Sequence, residues 1–134
     1  MNVLDASVVT DALVVSGPDG EAARAALGHE DVVHAPYVME AEVVSAFRGM
    51  VRRGDIDAAT ARTAISQLGR MRIARYSLAP FLDRVWALRD NVTVYDAWYV
   101  AVAEALETRL ITQDLRLVNA AGVRCPVERP APVP

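Results

Sequence analysis

Four carboxylates are the residues in this chain best suited by type and position to do chemistry. Asp5 follows a short apolar run, Asn2–Leu4, and Asp114 comes just after another, Arg109–Thr112. Asp96 sits in the first turn of a helical pattern, and Glu42 about two turns into a pattern that opens near Pro36. Each has an ordinary reading when taken alone. A strand-end aspartate serves turns, a first-turn acid suits the helix dipole, Asp114 suits an N-cap, and a glutamate is commonly solvated. Brought to one edge, like carboxylates repel, and the remedies are a shared proton, an arginine or a divalent cation. With only hard oxygen ligands, the cation is Mg2+ or Mn2+. Glu40 competes with Glu42, because two positions along a helix differ by roughly 200° and cannot share a target. Met39 and Ala46 put Glu42 on the margin of the apolar face, whereas Glu40 shares a side with Val44 and Phe47, and the pattern does not choose.

These acids need elements to carry them. Hydrophobic spacing predicts strands at Asn2–Leu4, Asp31–His34, Arg72–Tyr76, Arg109–Thr112 and, briefly, Val123–Arg124. Between them it predicts helices at Ser7–Val15 with Ser7 as N-cap, Glu21–Leu27, Pro36 to Gly54, Asp57–Leu68, Pro80–Arg89, Tyr95–Glu107 and Leu115–Ala121. Ser16-Gly17-Pro18-Asp19-Gly20 reads as a turn. Strands alternating with helices imply an α/β protein with a short, mainly parallel central sheet and helices on both sides. Ligands then bind beyond the carboxyl ends of the strands, where Asp5 and Asp114 fall.

The chain has 134 residues, one domain's worth, of which 53% are hydrophobic. This excludes a disordered chain, and the apolar richness suggests an association surface. No apolar run reaches the ~18 residues of a membrane span, so no membrane role is expected. The N-terminus lacks a basic n-region, and the one cysteine, Cys125, suits a reducing cytoplasm. All 14 basic residues are arginine, and the formal net charge is −3. Between positions 48 and 75, seven arginines stand against Asp55 and Asp57 alone, so Arg48, Arg52 and Arg53 read either as a basic face for a polyanion or as solvated helix positions. Four of seven prolines fall in the last nine residues, so residues 1–125 read as the domain and 126–134 as a Pro-rich, extended tail.

Several stretches together resemble the PIN-domain ribonucleases, and in order, spacing and length the VapC-type toxins of bacterial toxin–antitoxin pairs. They are Val3-Leu4-Asp5-Ala6-Ser7; Pro36 followed by Glu42, Ala46 and Arg52-Arg53-Gly54; Thr93-Val94-Tyr95-Asp96-Ala97-Trp98; and Leu110-Ile111-Thr112-Gln113-Asp114. The resemblance implies a three-layer α/β/α sandwich. It implies catalytic roles for Asp5, Glu42, Asp96 and Asp114, with metal held by Asp5, Asp96 and Asp114. Glu42, rather than Glu40, lies at the matching distance from Pro36. Thr112 matches the hydroxyl beside the last aspartate, and Ser7 supplies a second hydroxyl behind the acids. A Mg2+- or Mn2+-dependent endoribonuclease, an RNA substrate, a homodimer and a cognate antitoxin are implied in the same way.

Two other classes share part of this pattern. An aspartate phosphoacceptor domain shares the size and the acidic edge, but those families use a site lysine and this chain has none. A non-catalytic α/β interaction module shares the fold, but gives no reason for four acids. His29 and His34 lack partners at zinc-ligand spacing. Tyr95, Trp98 and Tyr99 are spaced as core or interface residues. Cys125, beside Pro126, has no evident base.

Overall fold

The computed structural model describes residues 1–134. Five strands form one parallel sheet: β1 (Val3–Leu4), β2 (Val33–Pro36), β3 (Ile73–Tyr76), β4 (Leu110–Ile111) and β5 (Val127–Glu128), in the order β3-β2-β1-β4-β5. Seven helices flank it: α1 (Ala6–Val14), α2 (Gly17–Gly28), α3 (Met39–Arg53), α4 (Ala58–Arg70), α5 (Leu82–Ala87), α6 (Val94–Ala105) and α7 (Leu115–Val118). The chain builds outward from β1 through β2 to β3, then returns to lay β4 on the other side of β1. That reversal makes the β1–β4 boundary the switch point, where strand ends diverge and leave a crevice.

β1 and β4 are two residues long and wholly buried, as strands covered on both faces must be. Helix α6 packs along β2, β1 and β4, while α1 is the hub for α2, α3 and α4. The apolar cluster runs from Val3 and Leu4 through Val8, Val9, Met39, Val43 and Phe47 to Tyr99, Val100 and Val102. Helix ends obey local chemistry. Asp57 caps α4 by accepting from Thr60 N at 2.7 Å, and Gly54 closes α3 at φ +80°, a conformation that favours glycine.

The expected strands and helices are present, with informative shifts. Segment 16–20 is no turn but the start of α2. Pro18 fits a first helical turn, where its missing N–H is no loss, and a Cβ on Gly20 would overlap the Val15 carbonyl. Pro36 ends β2 rather than opening α3. Asp5, not Ser7, occupies the N-cap position of α1, and its side chain makes no capping bond. Gly69 lies inside α4. Pro80–Arg89 divides into a 3-10 turn (Ala79–Phe81) and α5, and the last helix stops at Val118. The final strand is not Val123–Arg124 but Val127–Glu128, within the Pro-rich segment. It forms the sheet edge, where nearby prolines need no ladder partner on the outer side.

Candidate active site

Asp5 emerges where β1 ends, its N–H donating to the Ile111 carbonyl of β4 at 2.9 Å. It is one of only three buried polar or charged residues, and Thr112 at the end of β4 is another. A carboxylate taken from water needs hydrogen bonds. Asp5 Oδ2 accepts from Ser7 Oγ at 2.6 Å and from Thr112 Oγ1 at 2.8 Å. The same two hydroxyls accept in turn from the backbone: Gln113 N–H to Ser7 Oγ at 3.0 Å, and Asp114 N–H to Thr112 Oγ1 at 3.1 Å. The β1 and β4 ends are thus stitched together by two hydroxyls.

Asp114 caps α7, accepting from Arg116 N at 2.9 Å, so its capping role and its place at the edge coexist. Asp96 lies in the first turn of α6, whose N-cap Thr93 accepts from Asp96 N at 3.1 Å. Glu42 projects from α3, and Tyr99 Oη, on fully buried Tyr99 of α6, donates to Glu42 Oε1 at 2.8 Å. Glu40 points elsewhere. It takes a two-pronged pair from Arg75, at 2.6 and 2.9 Å. Of the two glutamates, only Glu42 lines the concavity that holds Asp5 and Asp96.

The four acids share one field. Asp96 is pushed above the usual aspartate range, first by burial and then by Asp5 and Asp114; Thr93 and Arg116 only partly offset this. Glu42 is likewise raised, first by burial and then by Asp5 and Asp96, against the Tyr99 hydrogen bond. The Tyr99 hydroxyl, buried and facing Glu42, is held protonated far above its ordinary range, so it remains a donor. Two concavities meet at Asp96. One, of about 370 Å3, is walled by Asp5, Ser7, Thr10, Glu42 and Asp96. The other, of about 410 Å3, is walled by Asp96, Asp114 and the arginines Arg89 and Arg116. The largest concavity, about 600 Å3 between α2 and the Pro-rich tail, holds none of the four acids.

The donor set is all oxygen, of the kind hard divalent cations select. No three His, Cys, Asp or Glu side chains converge tightly enough to ligate one ion directly. The residues therefore fit a hydrated ion, held mainly through its waters, better than one enclosed by protein ligands.

Arg48, Arg52 and Arg53 are not part of this cluster. Arg52 lies ten residues beyond Glu42 on α3, about 15 Å along the axis. Arg48 and Arg52 instead border an apolar groove between α3 and α4, and Arg53 pairs with Asp55 at 3.0 Å. Sequence reasoning missed the contacts of Tyr99, Thr93 and Gln113. Tyr99 had been placed in the core by its spacing, and it is there, but its hydroxyl also reaches Glu42. Thr93 was legible in principle, as a threonine three before Asp96 is an N-cap signal.

A parallel α/β domain with an acidic crevice at its switch point defines a class that contains nucleases. The sequence matches the PIN domain over residues 3–123. The chain belongs to the PIN-domain family, and its identity with relatives over nearly the whole length places it among the VapC ribonucleases. It is 36% identical over 127 residues to VapC ribonuclease Mb0985 of Mycobacterium bovis, covering 95% of this chain and 96% of that one. Ribonuclease VapC1 of Mycobacterium tuberculosis is 39% identical over 127 residues, covering 94% and 95%. The fold is similar to that of PAE2754 from Pyrobaculum aerophilum, with TM-score 0.68, 23% identity and coverage of 95% and 82%. It is also similar to the M. tuberculosis VapC20 toxin, described as sarcin-ricin loop cleaving, with TM-score 0.61, 14% identity and coverage of 82% and 87%.

Proposed function

We propose that the protein is a divalent-metal-dependent endoribonuclease, the toxin of a toxin–antitoxin pair, acting in the cytoplasm and using Mg2+ or Mn2+ at the Asp5–Glu42–Asp96–Asp114 cluster. The observation that carries this reading is the gathering of the four acids around two concavities that meet at Asp96, with Asp96 and Glu42 raised first by burial and then by neighbouring acids. When bound, the ion supplies a water activated near neutral pH and stabilises charge on the phosphoryl oxygens. Ser7 and Thr112 hold Asp5 Oδ2, and Oδ1, which takes no protein donor, would be the oxygen offered to the ion or its waters. Asp96 and Asp114 complete the metal-facing edge. Tyr99 fixes one oxygen of Glu42, leaving the other to orient the attacking water and accept its proton.

The cognate antitoxin is supported by the groove of about 360 Å3 formed by Val44, Phe47, Val51 and Ile65 and bordered by Arg48, Arg52 and Arg62. That combination suits an acidic, amphipathic segment. Leu82 and Tyr95 are 55% and 58% exposed, which supports burial of that side in a homodimer. Arg48, Arg52 and Arg53 are proposed as more distant RNA contacts. Charge reversal at Arg52 and Arg53 then flattens the salt dependence of RNA binding.

The deciding experiment is cleavage of a fluorogenic RNA by antitoxin-free protein with Mg2+, Mn2+ or EDTA, beside Asp96→Asn. Expected is cleavage that EDTA abolishes and the variant loses. Turnover at wild-type rate by folded Asp96→Asn overturns the assignment.

A further inference from the structure

Several arginines are held by partners away from the acidic cleft. Arg75 is committed to Glu40, and Arg84 to Glu104 and the Gly122 carbonyl. Arg24 is bound to backbone carbonyls, Arg53 to Asp55, and Arg129 to Gln113. Arg89 and Arg116 differ in place. They stand on the wall of the cleft that contains Asp96 and Asp114. Arg89 is exposed, yet its position is fixed. Nη1 donates to the Trp86 carbonyl at 2.9 Å, and the guanidinium lies 4.7 Å from the Trp86 ring centroid. Arg116 has a 94% exposed side chain, and its only charged neighbour is Asp114 Oδ1, 3.5 Å from Nε. Its terminal nitrogens are free to donate. Asn91 and Thr93 add neutral polar groups to the same wall, and Asp90 is the one further acid there.

A cationic lip beside an anionic floor suits one ligand chemistry in particular. A polyanion with evenly spaced charges can set one charge against cations on the acidic floor and an adjacent charge against the guanidiniums. We propose that Arg89 and Arg116 form a phosphate-binding subsite that grips the nucleotide flanking the scissile bond of single-stranded RNA. The subsite rests on the nuclease reading above and deepens it. It puts the first protein–backbone contact at the α5–α6 loop and the start of α7, immediately beside the acids, rather than on the distal arginines of α3. Guanidinium forks match phosphate oxygens in pairs, which an ammonium does not. Such contacts position the strand without reading its bases.

The test uses the full chain carrying Arg89→Gln, Arg116→Gln, the double variant, and Arg→Lys at both sites. The probe is a fluorescein-labelled single-stranded RNA oligonucleotide. Cleavage kinetics are read in the active background, and anisotropy across a salt series is read in the Asp96→Asn background. The expected result is a KM raised by about ten-fold in the double variant with kcat changed less than about two-fold, the signature of lost uniform binding. The slope of log affinity against log salt falls by about 0.7 per arginine removed. The lysine variants recover the slope but not the full affinity. A double variant whose KM and salt slope match the parent overturns the subsite, as does a parent that binds no RNA at low salt. Absence of cleavage by the active background, with RNA binding intact and arginine-dependent, counts against the nuclease reading and leaves the subsite standing.

Discussion

Asp5 and Thr112 show how one hydrogen bond can serve both stability and site geometry. Thr112 is wholly buried, and its hydroxyl donates to Asp5 while accepting from Asp114 N–H. Thr112→Val removes a donor to a charged, buried acceptor and orphans an N–H. Its cost is expected at about 1.5–3 kcal/mol, the range for a hydrogen bond to a charged group. Urea unfolding measures this, and unchanged stability refutes it. Asp96 behaves in the opposite sense. Its folded pKa is raised, so the native state binds its proton more tightly than the unfolded chain, and stability falls as pH rises from about 4 through the folded value. Asp96→Asn removes that cost. The metal-free variant should melt higher than wild type at pH 7, by an amount that solvent screening keeps to about 1 kcal/mol or roughly 3–5 °C. The difference should vanish near pH 4. Calorimetry at the two pH values, showing a gap at both or at neither, would contradict this. Both residues were legible as candidates because each follows an apolar run or opens a helix. Their coupling was not, since it depends on distances between segments about 90 residues apart in sequence.

At the scale of elements, helix starts matter more than helix lengths. Asp114 caps α7 and Thr93 caps α6, so the loops entering these helices deliver Asp114 and Asp96 to the crevice as a result of capping itself. A cap contact and a place beside Asp96 are therefore compatible for Asp114. The first turn of α2 carries a turn-like sequence for a physical reason. Gly-Pro-Asp-Gly carries the composition of a turn, but proline is equally at home in a first helical turn, and Gly20 is there because the Val15 carbonyl leaves no room for a side chain. Gly20→Ala tests this, with an expected loss of about 1–3 kcal/mol from overpacking. The same exchange at Gly28, where nothing lies within 4 Å of a Cβ, should be neutral or mildly stabilising. Equal melting temperatures for the two variants would show that the close approach is not limiting.

At the scale of the whole molecule, the sheet order sets where the acids gather. Placing β4 beside β1 gathers Asp5, Thr112 and Asp114 from opposite ends of the sequence, and α3 and α6 add Glu42 and Asp96. The crevice concentrates negative charge, a destabilising arrangement that a bound cation relieves. Adding Mg2+ or Mn2+ should therefore raise the melting temperature in proportion to ln(1 + [L]/Kd), with a smaller rise as the pH is lowered, because the raised carboxyls take up protons that compete with the ion. A shift independent of pH, or equal with Ca2+-free NaCl of matched ionic strength, would argue against a specific ion site. No helix is long and apolar enough to cross a membrane, in line with the hydropathy of the chain.

The amino-acid sequence alone determined the α/β alternation, because burial on two faces forces short apolar runs and helical periodicity is local. It also determined which acids stand at element boundaries, because caps and strand ends are written in neighbouring residues. Tertiary structure decided what depended on distant segments meeting. It turned Glu40 toward Arg75 and Glu42 toward Tyr99, and locked Asp5 between two hydroxyls. It drew Val127–Glu128 into the sheet edge, and set Arg89 and Arg116, rather than the arginine-rich stretch of α3, beside the acids. Local pattern records which face a residue can present, and only the packed chain records what stands opposite.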